Sequence, residues 1–213
     1  MKILITGFEP FAGERVNSSY EAVRLLPDQM EGVELKKICL PVSFETAGTV
    51  LESAMEAFQP EIVICAGQAG GSDAISVERV AINLQDASIP DNCGFQPQDC
   101  PVIPGGPDAY FSLLPVRKIV TDLQADQIPA RISNSAGTFV CNTVMYTLLH
   151  RIQSGSRPMT GGFIHVPYLS EQAQQKEAGT PGMELTQIVR GLTIAARSAL
   201  RARRDPAVQG STE

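Results

Sequence analysis

Short apolar runs alternate along the chain with segments whose apolar residues recur every third or fourth position. "KILIT" (2–6), "VELKKICL" (33–40), "EIVICAG" (61–67), "ARISNS" (130–135) and "GFIHV" (162–166) read as strands. Between them, "SSYEAVRLL" opens with Ser18 and Glu21 at the S-x-x-E capping-box spacing that starts a helix. Ala47, Val50, Leu51, Ala54 and Phe58 mark a second helix that Pro60 closes, and Val116, Ile119, Val120 and Leu123 mark a third. A fourth begins at about Phe139, and a final amphipathic helix covers about 183–203, followed by a polar tail expected to fray after Arg204. "ISVERVAIN" (75–83) alternates like one strand and is followed by no helix, so an antiparallel or excursion segment is expected at 75–89, before a Pro/Gly-rich loop at 88–109. No linker or repeat divides residues 1–213, and the alternation predicts a single α/β domain with a twisted, mostly parallel sheet between helices.

Composition narrows the function classes. With 43% apolar and 19% charged residues the chain has the balance of a folded domain. A net charge of −6 without any Lys/Arg run offers no surface for nucleic-acid phosphates. The start, "MKILITGFEP", is apolar too briefly for a signal peptide or a membrane span, and a cytoplasmic location is expected. In that reducing setting an odd count of five cysteines does not read as a disulfide framework. Cys39 and Cys65 lie in strand-like apolar runs and read as buried, inert thiols. Cys93 and Cys100 bracket "GFQPQD" at a separation unlike zinc-ligand spacing, and no metal or cofactor is expected.

Cys141 stands apart, because "SNSAGTFVCNTVMYTLLH" places it where a Gly-containing turn hands over to an apolar helix. Free N–H groups and the positive helix end there favour a thiolate and can stabilise an oxyanion; a small residue packed at a helix start is the alternative. A cysteine nucleophile needs a base, and the chain has two histidines. His150 lies nine residues along the same helix, about 180° around it and about 13 Å away, out of reach. His165 ends a separate strand and is the candidate, if it is not simply a hydrogen-bonded structural residue. Glu78 is the candidate to orient it: the two-residue strand period puts Glu78 on a face with Val80 and Ile82, opposite Arg79. An ion pair with a distant arginine explains a carboxylate there equally well. "GQAGG" lacks nucleotide-binding spacing, and its glycines are explained by a tight turn. Phe8 and Phe11, apolar in what should be an exposed loop, are either core plugs or walls of a small pocket.

With these residues in view, the chain resembles the pyroglutamyl peptidases of the cytosolic type (pyrrolidone-carboxylate peptidases). The likeness runs from residue 2 to about 200 and is carried by "TGFEPFAGERVN", "GQAGG", "ERVAINLQDASIPDN", "SNSAGTFVCN" and "GGFIHVPY" in this order. It implies a three-layer α/β/α sandwich and removal of an N-terminal pyroglutamate (5-oxoproline) from peptides through a thioester. It also implies a triad at Cys141, His165 and Glu78. Phe8 and Phe11 would flank the lactam ring, and Gln68, Asn17 and main-chain groups at Phe139 and Val140 would complete the pocket. A homotetramer is implied as well. The chain departs from the pattern at Ser88, where an arginine is expected before "IPDN"; any help from that arginine to the site, or to Glu78, must come from elsewhere or be missing. A glutaminase of the amidotransferase kind and a catalytically silent binding protein on the same scaffold are the alternatives. A nucleoside-processing enzyme is disfavoured, because no glycine loop carries a phosphate-binding arginine.

Overall fold

In a computed structural model, which describes residues 1–205, strands and helices alternate as the pattern requires. The strands are β1 (Lys2–Phe8), β2 (Gln29–Met30), β3 (Val33–Leu40), β4 (Ile62–Gln68), β5 (Ile75–Glu78), β6 (Val80–Ile82), β7 (Ala109–Phe111), β8 (Ala130–Ser133) and β9 (Thr160–Val166). The helices are α1 (Ser18–Arg24), α2 (Ala47–Phe58), α3 (Val116–Ala125), α4 (Val140–Ser154), α5 (Ser170–Ala173) and α6 (Leu185–Arg204). The part of the expected polar tail from 206 onward lies outside the described residues.

Seven strands form one sheet in the order β2-β3-β1-β4-β9-β5-β8. β3, β1, β4 and β9 run parallel, whereas β5 is antiparallel to β9 and parallel to β8. Every residue of β4 is buried, as expected of a strand covered on both faces. One apolar layer joins the sheet to Ala22 and Val23 of α1, Ile119 and Leu123 of α3, and Ile188 and Leu192 of α6. The other joins it to Leu51 and Met55 of α2 and to Val144 and Leu148 of α4. The result is a three-layer α/β/α sandwich with a mixed, mostly parallel sheet. None of the described helices is long and apolar enough to cross a membrane.

Four local expectations need correction. "ISVERVAIN" is not one strand. The Arg79 N–H donates to the Ser133 carbonyl at 2.8 Å and its own carbonyl accepts from Ser112 N–H at 2.8 Å. Beyond it, β6 leaves the main sheet and pairs with β7. Glu78 therefore shares no face with Val80 and Ile82; alternation is a local signal and does not register a change of partner strand. α1 is capped by Asn17, not Ser18: Asn17 Oδ1 accepts from Ser19 N–H at 3.1 Å, and Ser18 is the first helical residue. Phe8 is the last residue of β1 and is buried, not a loop residue. Cys39 is only half-buried, because β2 covers β3 at its first residues and leaves the far end near an edge. Cys65 is fully buried, as its apolar run predicts.

Candidate active site

Three neighbouring strands present their side chains on one face of the sheet. β4 contributes Gly67, which pairs with His165 of β9, and His165 pairs with Ser76 of β5. Two residues along β5, on the same face as Ser76, stands Glu78, diagonally opposite His165. Glu78 Oε1 lies 2.8 Å from His165 Nδ1, with the side chains 2% and 11% exposed. The strand period thus brings Glu78 to the imidazole, although by a different face partner than the sequence suggested.

Cys141 arrives from the helix side. It is the second residue of α4, whose N-cap Phe139 makes no side-chain capping bond and whose first turn holds no acidic residue. No acidic side chain of its own first turn therefore competes for the positive end of that helix. The N–H groups of Asn142 and Thr143 turn back onto the Phe139 carbonyl, leaving those of Val140 and Cys141 at the open end. The sulfur lies against Gly67, where an added Cβ would come within 2.9 Å of Sγ and 2.8 Å of the Phe163 ring. Cys141 and His165 line the same cavity, and the sulfur is near enough to act on the imidazole. Burial disfavours a charged imidazole, but the charge of Cys141, with the charge and hydrogen bond of Glu78, outweighs it and raises His165 to about 10.

Asn142, next to the cysteine, was not singled out by the sequence. Its side chain accepts from Ile82 N–H at 3.0 Å and donates to the carbonyls of Ile82 and Leu84 at 2.9 Å each. It mimics a strand partner for β6 and pins the first turn of α4. "VCN" followed by a buried helix was the available signal. Gly67 was read as part of a turn; only the sheet register shows that its missing side chain makes room for sulfur. His150 sits apart, with Nδ1 2.8 Å from the Tyr110 hydroxyl and the ring stacked on Tyr146.

A cavity of about 130 Å³ opens beside the sulfur and is lined by Phe8, Phe11, Asn17, Val42, Gln68, Ala136, Phe139, Val140, Cys141 and His165. All six residues expected to form a pocket are in it. Phe8 packs on Phe163 at 6.3 Å and Phe11 on Phe139 at 6.0 Å, so both aromatics are wall and core at once. Asn17 is committed to structure, capping α1 and donating to the Glu9 carbonyl at 3.0 Å. Apart from Cys141 and His165, no lining side chain is ionisable. Ser88, by contrast, is exposed, and Glu78 Oε2 is buried without a hydrogen-bond partner. Among the described residues no group of three or more His, Cys, Asp or Glu could hold a metal ion.

A three-layer fold with a thiol, an imidazole and a buried carboxylate gathered at one small apolar cavity defines a class: α/β peptidases built around a cysteine. The chain belongs to the pyroglutamyl peptidase family, whose model matches residues 1–202. A pyrrolidone-carboxylate peptidase of Alkaliphilus oremlandii is 50% identical over 210 residues, covering 99% of this chain and 98% of the relative. One of Thermococcus onnurineus is 49% identical over 202 residues, covering 95% and 100%. The crystal structure of pyroglutamyl peptidase I from Bacillus amyloliquefaciens superposes with a TM-score of 0.90 at 46% identity, over 94% of this chain and 97% of that one. A mutant pyrrolidone carboxyl peptidase from Pyrococcus furiosus gives 0.91 at 43%, over 95% and 100%.

Proposed function

We propose that the protein is a cysteine exopeptidase that removes N-terminal pyroglutamate from peptides, with Cys141 as nucleophile, His165 as base and acid, and Glu78 as the group that orients His165. The observation that carries this reading is that His165, held by Glu78 at 2.8 Å, and Cys141 line one cavity with no other ionisable side chain. Glu78 holds Nδ1–H, so Nε2 faces the sulfur. With the thiol proton on Nε2, sulfur attacks the pyroglutamyl carbonyl carbon and the carbonyl oxygen becomes an oxyanion. In this reading the N–H groups of Val140 and Cys141, at the open end of α4, receive it. His165 then gives its Nε2 proton to the leaving amine as the C–N bond breaks, and a thioester on Cys141 remains. Water, deprotonated by Nε2, attacks that thioester, releases pyroglutamate and restores the thiolate–imidazolium pair.

The pocket fits the ring. A lactam carries no charge and no free amine, and the lining includes Phe8, Phe11, Phe139, Val140 and Gln68, with main-chain groups at Phe139 and Val140 assigned to the ring by family resemblance. A glutamine substrate would bring a charged α-amino acid for which the lining has no counter-charge. Proline lacks the ring carbonyl and would leave a buried donor unpaired, a source of strong rejection. We further propose that residues 1–213 act as one domain, in the cytoplasm, where five free cysteines suit a reducing setting, and as a homotetramer. The last rests on family resemblance alone. The test is hydrolysis of pyroglutamyl-alanine beside prolyl-alanine, with and without iodoacetamide. Cleavage of the first alone, abolished by alkylation, is expected; equal cleavage of both, or full activity after alkylation of Cys141, refutes the reading.

A further inference from the structure

Gln172 lies on α5, just after the strand that carries His165; it is buried and takes no part in the cavity lining. Its hydrogen bonds nevertheless lead into that cavity. Backbone groups have a fixed polarity, so they identify the two ends of a carboxamide. Leu169 N–H donates to Gln172 Oε1 at 3.0 Å, and Gln172 Nε2 donates to the Val16 carbonyl at 3.1 Å. The orientation of Gln172 is thereby determined by main chain on both ends. Its Nε2 also donates to Gln68 Oε1 at 3.1 Å, with Glu14 Oε2 a longer neighbour at 3.4 Å. Gln68 Oε1 takes a second bond from Ser18 N–H at 2.9 Å. Two donors converge on one end of the Gln68 carboxamide, which leaves its –NH2 end for the cavity that Gln68 lines.

We propose that Gln172 is a positioning residue that, together with the Ser18 N–H, fixes which end of Gln68 faces the substrate, and so makes the pocket a donor to the lactam carbonyl. The inference rests on the pyroglutamyl reading above. Its physical content is a difference in polarity. Without Gln172, a turn of the Gln68 oxygen inward, where it meets the acceptor oxygen of the ring, is opposed by the Ser18 N–H alone. With Gln172 in place that turn would set two –NH2 groups against each other. Binding to the ring is shared by ground state and transition state, so its loss raises KM and leaves kcat largely intact.

The test compares wild type with Gln172→Glu, Gln172→Met, Gln68→Met and the Gln68→Met/Gln172→Met double variant. KM and kcat are measured on a pyroglutamyl naphthylamide, the inhibition constant with 2-pyrrolidone, the bare ring, and thermal stability alongside. Gln172→Glu places an acceptor against Gln68 Oε1, so KM and the 2-pyrrolidone constant should both rise about tenfold or more, or about 1.4 kcal/mol, with kcat within about threefold. Gln172→Met should show the same pattern, weaker. In the Gln68→Met background, Gln172→Met should change the 2-pyrrolidone constant less than about twofold, since the effect passes through Gln68. Unchanged KM and inhibition constants in both Gln172 variants overturn the proposal. So does a loss confined to kcat, or an equal effect of Gln172→Met with and without Gln68. If Gln172→Glu does not fold, the Met series decides alone. A wild type that turns over no pyroglutamyl substrate refutes the peptidase reading instead.

Discussion

Replacing Gly67 with alanine isolates the role of an absent side chain. The backbone of Gly67 lies outside the left-handed region, so alanine meets no conformational penalty there and the effect is purely steric. The new Cβ would stand 2.9 Å from Cys141 Sγ and 2.8 and 2.9 Å from two Phe163 ring carbons, where ordinary contact begins at 3.4 Å. Phe163 is fully buried and pressed between Phe8 and His165, so the ring cannot yield freely. The sulfur must retreat by about half an ångström or change rotamer, and its alignment with His165 goes with it. Misplacement on the order of 1 Å costs about a hundredfold in rate, so kcat/KM should fall about 10- to 100-fold. Overpacking should cost about 1–3 kcal/mol of stability, which leaves the domain folded. The assay pairs kcat/KM on a pyroglutamyl substrate with the second-order rate of Cys141 alkylation and a melting curve. A folded Gly67→Ala protein with wild-type turnover and wild-type alkylation would show that the sulfur does not depend on that space.

Further outcomes can be checked in parallel. Glu78→Gln should lower kcat by about 10²- to 10⁴-fold, by analogy with loss of the orienting carboxylate in other triads, and should also lower the melting temperature near neutral pH, because a buried imidazole loses the charge that faces it; near-wild-type kcat would reduce Glu78 to a structural ion pair. His165, raised to about 10 from an ordinary value of about 6.5, contributes stability that is complete below about pH 6.5 and is lost as pH rises through about 10. In Cys141→Ala the sulfur's contribution is gone, so the His165 midpoint should move down, read by NMR titration against the other histidine, His150; an unmoved midpoint would separate the two side chains electrostatically. Cys65, fully buried and pushed up to about 12, should resist alkylation until the protein unfolds, whereas exposed Cys93 reacts at once and half-buried Cys39 follows more slowly. Rapid modification of native Cys65, seen by mass spectrometry, would contradict its placement in the sheet. Asn142→Leu keeps the bulk but leaves the Ile82 N–H and two carbonyls unpaired, so stability should fall by about 1–3 kcal/mol, measured by urea unfolding; an unchanged midpoint would mean the helix start needs no tether.

Where sequence reading succeeded, it did so through periodicity and caps. β3 matches its apolar run at 33–40, and α2 ends at Phe58 just before Pro60, because such signals are local and travel with the residues that cause them. It failed where a partner strand decided the matter. β5 and β6 look like one alternating strand, yet one joins β8 and β9 and the other joins β7. β2 and α5 are two and four residues long, too short to carry a period.

The sequence by itself determined the layered α/β architecture, the family, and the residue types at the site. It also excluded His150 from partnership with Cys141, because nine residues of helix carry a side chain to the opposite face. Tertiary structure alone decided that Gly67, His165 and Glu78 fall on adjacent strands of one face, and that Gln172 reaches the pocket through Gln68. Those facts depend on strand order and register, which join positions about ninety to a hundred residues apart in the chain, and no local pattern encodes a distance of that kind.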